Sequence, residues 1–143
     1  MRIGLIGHNS VEYTEKLLEI WAAADSAILI DYDTPPTAAA QLLAECGAKH
    51  CIVERGLDNF SESELGCEIR EYNVTSKMPC LLPASVRALF SVREDEREAV
   101  IINSSGTTGK SKGISLSFRA LINNASAREL KVSAELWEQS IAI

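Results

Sequence analysis

Short apolar runs alternate with longer amphipathic stretches along this chain. Ile3 to Ile6 is the first run, and Asn9 follows as a helix N-cap, with Glu12 three residues later in the capping-box position. In that helix Leu17, Leu18, Ile20, Trp21 and Ala24 recur with the spacing of a broad apolar face. Ala27 to Ile30 is apolar on both sides, as a parallel strand buried between two layers must be. Thr34-Pro35-Pro36 opens a second helix, because proline suits the first helical turn. Gly47 closes it in a left-handed cap, and Cys51-Ile52-Val53 is the third strand.

Past that point the pattern is less regular. Residues 55–66 read as loop, and 68–74 as an edge strand of alternating polarity. Residues 75–85, with Pro79 and Pro83, are a connector, and 86–92 a short helix. Ala99 to Asn103 is a further strand, and Phe118 to Leu130 a helix with Leu121, Ile122, Ala125 and Leu130 inward. Residues 133–139 begin another helix and 141–143 start a strand. Strands and helices alternating at these lengths predict an α/β fold, a mainly parallel sheet flanked by helices.

Composition narrows the function. The 143 residues suffice for one domain with a real core, and 46% of them are hydrophobic. No run approaches the roughly 18 apolar residues of a membrane span. The opening residues also lack the apolar core of a signal peptide, so the expectation is a cytoplasmic chain with no membrane partner. The net charge is −6, and basic residues cluster only at Lys110 and Lys112, which argues against a nucleic-acid surface. Cys46, Cys51, Cys67 and Cys80 show no C-x-x-C spacing. Cys46, His50 and Cys51 could be imagined around zinc, but free buried thiols are the expected state and no metal site is assigned.

The chemistry concentrates in Ser104-Ser105-Gly106-Thr107-Thr108-Gly109-Lys110-Ser111-Lys112-Gly113, directly after the apolar run Ala99 to Ile102. Glycines leave backbone N–H groups open, hydroxyls add neutral donors and lysines add charge, which together suit a polyphosphate. A Walker loop requires glycine five residues before the Gly of Gly-Lys-Ser, and that position is Ser104. Over its whole length the segment resembles instead the phosphate-binding signature of the adenylate-forming superfamily. That group comprises acyl- and aryl-CoA synthetases, peptide-synthetase adenylation domains and luciferases. Arg2 to Tyr13, Ala27 to Val53 and Gly113 to Leu121 are similar to that family's strands and helices, the last being like the helix that follows the loop. Residues 55–98 are unmatched. Ser111 stands where the family most often has proline, and Phe118 where it often has histidine.

The resemblance implies an ATP-dependent ligase acting on a small-molecule carboxylic acid. The acid attacks the α-phosphate of ATP, and coenzyme A or a carrier-protein pantetheine then displaces AMP. It implies Mg²⁺ with the ATP. It also implies that Ser104, Ser105, Thr107 and Thr108 donate from hydroxyls, that Gly106, Gly109 and Gly113 shape the turn, and that Lys110 and Lys112 supply charge. The family's adenine, ribose, hinge and catalytic-lysine segments lie downstream of anything matched here. Residues 1–143 are therefore expected to be a single incomplete N-terminal subdomain, with the loop at 104–113 and no activity alone. Two other readings stay open: half of a split enzyme that needs a second chain, or a non-catalytic scaffold or oligomerisation module. Truncation of the fold would expose sheet edges and favour self-association.

Overall fold

The structure, a computed structural model, describes residues 1–75, 96–104 and 112–124. In chain order its elements are β1 (Arg2–Gly7), α1 (Val11–Ala22), β2 (Ser26–Asp31), α2 (Pro36–Glu45), β3 (His50–Glu54), α3 (Glu62–Leu65), β4 (Glu68–Tyr72), β5 (Glu98–Ser104) and β6 (Lys112–Ser117). A further helix runs through 118–124. The strands form one sheet in the order β4-β3-β1-β2-β5-β6. The first five are parallel, and β6 returns antiparallel to β5. This is the mainly parallel, helix-flanked α/β sheet that the apolar runs predict, with β4 at its edge as expected.

Strand alternation assigns the two faces. Ile3, Leu5, Ala27 and Val100 pack toward Leu18, Ile20 and Trp21 of α1. Ile6, Ile28, Ile30, Cys51, Val53 and Ile101 pack toward Leu42 and Leu43 of α2 and Leu65 of α3. The β1-to-β2 and β2-to-β3 crossovers travel in opposite directions across the sheet, so right-handed connections put α1 and α2 on opposite faces. A crevice must therefore open between the carboxyl ends of β1 and β2.

Trp21 locks α1 onto the sheet. Its indole N–H donates to the Ala99 carbonyl at 2.9 Å, a buried bond. Ala99 falls at a register shift between Glu98 and Val100, where the β5–β6 pairing is interrupted. The Trp21 ring also meets Phe118 edge-to-face, 5.3 Å between centroids. At the same amino-terminal edge, Arg2 grips Glu98 through Nε at 2.8 Å and Nη2 at 2.9 Å and donates to the Cys46 carbonyl at 3.1 Å. Ser26 and Ser115 donate to the same Glu98 carboxylate at 2.8 and 2.7 Å. One residue thereby ties β1, β2, β5 and β6.

Three local expectations need correction. The N-cap of α1 is Ser10, not Asn9: Ser10 is extended, and its Oγ accepts the Tyr13 N–H at 3.1 Å. Glu12 makes no capping box; it is buried and accepts the Thr75 N–H at 2.7 Å. Residues 55–66 are not all loop. Ser61 and Glu64 form a reciprocal capping box that starts α3, and left-handed Gly66 ends it. Four residues are too few to show a helical period.

Residues 113–117 are strand rather than the start of the helix after the loop. The helix begins at 118, where the Ser117 Oγ accepts the Ala120 N–H at 3.2 Å. Gly113 pairs with Asn103 and lies beneath α2, where a Cβ would stand 2.9 Å from Ile101 Cγ2 and 3.2 Å from Leu42 Cδ1. A larger residue would lift β6 off that contact. Gly47, at φ 68°, does follow α2 as expected. The expected helix over 86–92, the end of the 118–130 helix and the elements over 133–143 lie outside the described residues. Among the described residues no helix is long and apolar enough to cross a membrane. Cys46, Cys51 and Cys67 are free thiols, and no group of three His, Cys, Asp or Glu side chains there could hold a metal ion.

Candidate functional site

The crevice required by the topology is present. A cavity of about 410 Å³ lies at the carboxyl ends of β1, β2 and β5. Leu29, Ile30, Leu42 and Ile102 form its apolar wall, and Asn9, Asp31, Thr34 and Asn103 bring polar side chains to it. Each polar residue sits at or just beyond a strand end, where the backbone leaves the ladder and its side chain reaches the edge. The volume falls within the usual range of small-molecule sites.

The loops beside the cavity are clamped together by one residue. His8, after β1, stacks on Tyr32, after β2, with 3.7 Å between ring centroids and 17° between planes. Glu54, at the end of β3, accepts the His8 backbone N–H at 2.7 Å and lies 3.0 Å from its Nδ1. Three successive βα loops are held at one point.

Two tyrosines stand behind this clamp. Tyr13 lines the cavity and donates its hydroxyl to the Leu5 carbonyl at 3.2 Å. Tyr72 is buried against Gly7, where any Cβ would overlap its hydroxyl. That hydroxyl has no hydrogen-bond partner among the described residues. Burial pushes both phenols well above the ordinary tyrosine range, Tyr72 being raised further by the carboxylates of Glu54 and Glu12. Both therefore remain protonated at neutral pH, as donors rather than bases.

Of the residues expected to hold phosphate, Ser104, Lys112 and Gly113 fall within the described chain. Ser104 ends β5 at the carboxyl edge, directly after the cavity residue Asn103, and Lys112 opens β6 as its register partner. Both ends of the segment thus meet at one rung. Gly113 is a strand residue whose missing side chain serves packing under α2. Ser105, Gly106, Thr107, Thr108, Gly109, Lys110 and Ser111 lie outside the described residues. Lys112 is exposed and borders a second hollow of about 370 Å³, with Arg2, Cys46, Glu98 and Ser115. Asn9, Asp31, Thr34, Asn103 and the His8–Tyr32–Glu54 clamp were not assigned to the site from sequence, where Asn9 and Thr34 counted only as helix-start residues. The available signal was position: each follows an apolar run, and parallel strands bring such residues to a single edge.

An α/β sheet with its crevice at the carboxyl edge, and a Ser/Gly/Thr/Lys segment leaving that edge, defines the class. The family model described as AMP-binding enzyme matches residues 1–141, and the chain belongs to that family. Tyrocidine synthase 3 of Brevibacillus parabrevis is 25% identical over an alignment 143 residues long that covers 97% of this chain and 2% of that protein. Among solved structures, a malonyl-CoA ligase with methylmalonyl-CoA and AMP bound aligns with a TM-score of 0.63 at 19% identity, over 88% of this chain and 25% of that one. A long-chain-fatty-acid–CoA ligase from Archaeoglobus fulgidus aligns with a TM-score of 0.62 at 24% identity, over 87% and 26%. At those identities the structural likeness speaks to the fold. The chain spans about a quarter of each of these ligases.

Proposed function

We propose that this chain contributes the ATP phosphate-binding segment, residues 104–113, to an ATP-dependent, adenylate-forming carboxylic acid ligase. The observation that carries the reading is the Ser104–Lys112 rung, which anchors both ends of that segment beside the carboxyl-edge cavity. Its work is electrostatic. Hydroxyls of Ser104, Ser105, Thr107 and Thr108, amides around Gly106 and Gly109, and the charges of Lys110 and Lys112 hold the β- and γ-phosphates. They also stabilise the pyrophosphate that leaves when the acid's carboxylate attacks the α-phosphate. An ionised carboxylate needs no general base. Mg²⁺ bound to the triphosphate would spread the phosphate charge. Coenzyme A, the thiol whose thioester methylmalonyl-CoA is bound in the malonyl-CoA ligase, or a carrier-protein pantetheine is the thiol acceptor.

ATP–pyrophosphate exchange tests the reading, with this chain alone and with lysate of its source cells. The chain alone should give no exchange, and exchange by it would refute the assignment as one contributing part. Exchange restored by a second chain supports a split ligase. In the restored system Lys112→Ala and Thr107→Ala should each lower the rate by about tenfold or more, the scale for losing one transition-state donor. Unchanged rates would remove these residues from the site.

A further inference from the structure

The two outer strands of the sheet meet solvent in different ways. β4 and β6 lie at its ends, and no further strand pairs with either among the described residues. β4 reads Glu68-Ile69-Arg70-Glu71-Tyr72, with charges at three of its five positions. Charged side chains of that kind blunt an edge against pairing with another chain. β6 reads Lys112-Gly113-Ile114-Ser115-Leu116-Ser117 and carries no charge past its first residue. It contains no proline, and residues 112–115 are exposed. Ile114 is 44% exposed, and of the exposed large hydrophobic residues described it alone lies within a strand or helix. Pairing with β5 fixes the faces of β6. Ile114 and Leu116 stand opposite Ile102 and Val100 on the α1 face, while Ser115 stands opposite Ile101 on the α2 face.

We propose that the outer edge of β6 is an interaction surface for a second copy of this chain, pairing antiparallel with that copy's β6 about a twofold axis. Symmetry and the pleat restrict the register. A twofold pairing sets residue i opposite j and j opposite i. Opposed residues share a face, so one residue must oppose its own copy, since a half-step would set Ile114 against Ser115. Centring on Ser115 sets Ile114 against Leu116 of the second copy, and Leu116 against Ile114, with Gly113 against Ser117. Lys112 then falls beyond the paired stretch, so no like charges are opposed. The sheet continues from one copy into the next with both α1 faces on the same side. Backbone hydrogen bonds supply the attachment, and the two Ile114–Leu116 pairs set the register. The contact is one strand wide on each copy, short of the area of a permanent dimer, so the association is weak and concentration-dependent. This pairing is independent of the nucleotide chemistry.

The test uses the full chain in sedimentation velocity over a wide range of concentration, with amide hydrogen exchange read by mass spectrometry at both ends of the range. A monomer–dimer equilibrium is expected, with slower exchange at high concentration in peptides covering 112–117 and no change in those covering 68–72. Ile114→Lys should raise the dimer dissociation constant by roughly tenfold or more, because two cross-strand apolar pairs are lost and two charges enter the ladder. Ile114→Val should keep the dimer. A chain that stays monomeric throughout, a dimer whose protection appears at 68–72 and not at 112–117, or an Ile114→Lys chain that associates as strongly as the unmodified one would overturn the proposal. A strand of a different chain as the occupant of β6 corresponds to the first of these outcomes. If Ile114→Lys fails to fold, exchange in the unmodified chain decides: concentration-dependent protection at 112–117 supports the pairing, and its absence refutes it.

Discussion

Glu98→Gln is the perturbation that most directly tests how the sheet is tied at its amino-terminal edge. Glu98 accepts two hydrogen bonds from Arg2 and one each from Ser26 and Ser115, and its carboxyl is held down at about 2, against 4.5 for an ordinary glutamate. The Arg2 hydrogen bond is the leading cause, and the Arg2 guanidinium is raised in return. A difference of that size would correspond to about 3 kcal/mol in an unscreened site. The Arg2 side chain is 44% exposed and that of Glu98 22%, so water screens the pair. We therefore expect a net contribution of about 1–2 kcal/mol, between an exposed ion pair and a hydrogen-bonded charge. In urea the midpoint should fall by roughly 0.5–1 M at pH 7, given the slope usual for domains of this size. The sign with pH follows from linkage. A depressed folded-state value means that the stabilisation is complete above the unfolded value of 4.5 and is lost as pH falls through about 2. The gap between native and Glu98→Gln chains should thus close steadily between those limits. Other carboxylates titrate in both chains and cancel in the difference. A gap that persists unchanged at pH 2, or none at pH 7, would refute the reasoning.

Three further substitutions test the packing. Trp21→Phe removes the donor to the buried Ala99 carbonyl and should cost about 1–3 kcal/mol in urea unfolding, more than a loss of area alone. Gly113→Ala drives a methyl to 2.9 Å from Ile101 Cγ2 and should cost about 1–3 kcal/mol, so an unchanged urea midpoint would show that β6 shifts freely beneath α2. Tyr72→Phe deletes a buried hydroxyl with no partner among the described residues, next to Glu54 and Glu12. It should leave stability unchanged or raise it by about 1 kcal/mol in thermal or urea unfolding, and a clear loss would show that the hydroxyl is bonded in solution.

Much of this fold was legible because the parallel strands are buried on both faces. Ala27 to Ile30 and Cys51 to Val53 have no polar side, and such runs separated by helices point to a parallel sheet. The misreadings share another cause: short-range chemistry that competes with periodicity. Asn9 and Ser10 are both good caps, and only the backbone decides that Ser10 Oγ meets the Tyr13 amide while Asn9 turns to the cavity. In Lys112 to Ser117 alternating residues lie beside glycine and serine, which weakens the strand pattern until β5 supplies the partner. The cavity wall was illegible for a different reason. Asn9, Asp31, Thr34 and Asn103 are scattered over 95 sequence positions (9 to 103, counted inclusively) and converge only through strand order.

That convergence separates stability from chemistry along the strand axis. The bonds that tie several strands through one residue, Arg2 with Glu98, Ser26 and Ser115, gather at the amino-terminal edge. The cavity, the His8–Tyr32–Glu54 clamp and the Ser104–Lys112 rung gather at the carboxyl edge. In the proposed reading the carboxyl edge admits the charged ligand, and the four-strand tie through Glu98 lies at the other end of the same strands. β5 carries both, with Glu98 at its start and Ser104 at its finish. Glu98→Gln should therefore lower stability while leaving ligand chemistry at the far end intact under folding conditions, and Lys112→Ala should do the reverse. A Lys112→Ala chain as destabilised as Glu98→Gln would mean that the two ends of β5 are not independent.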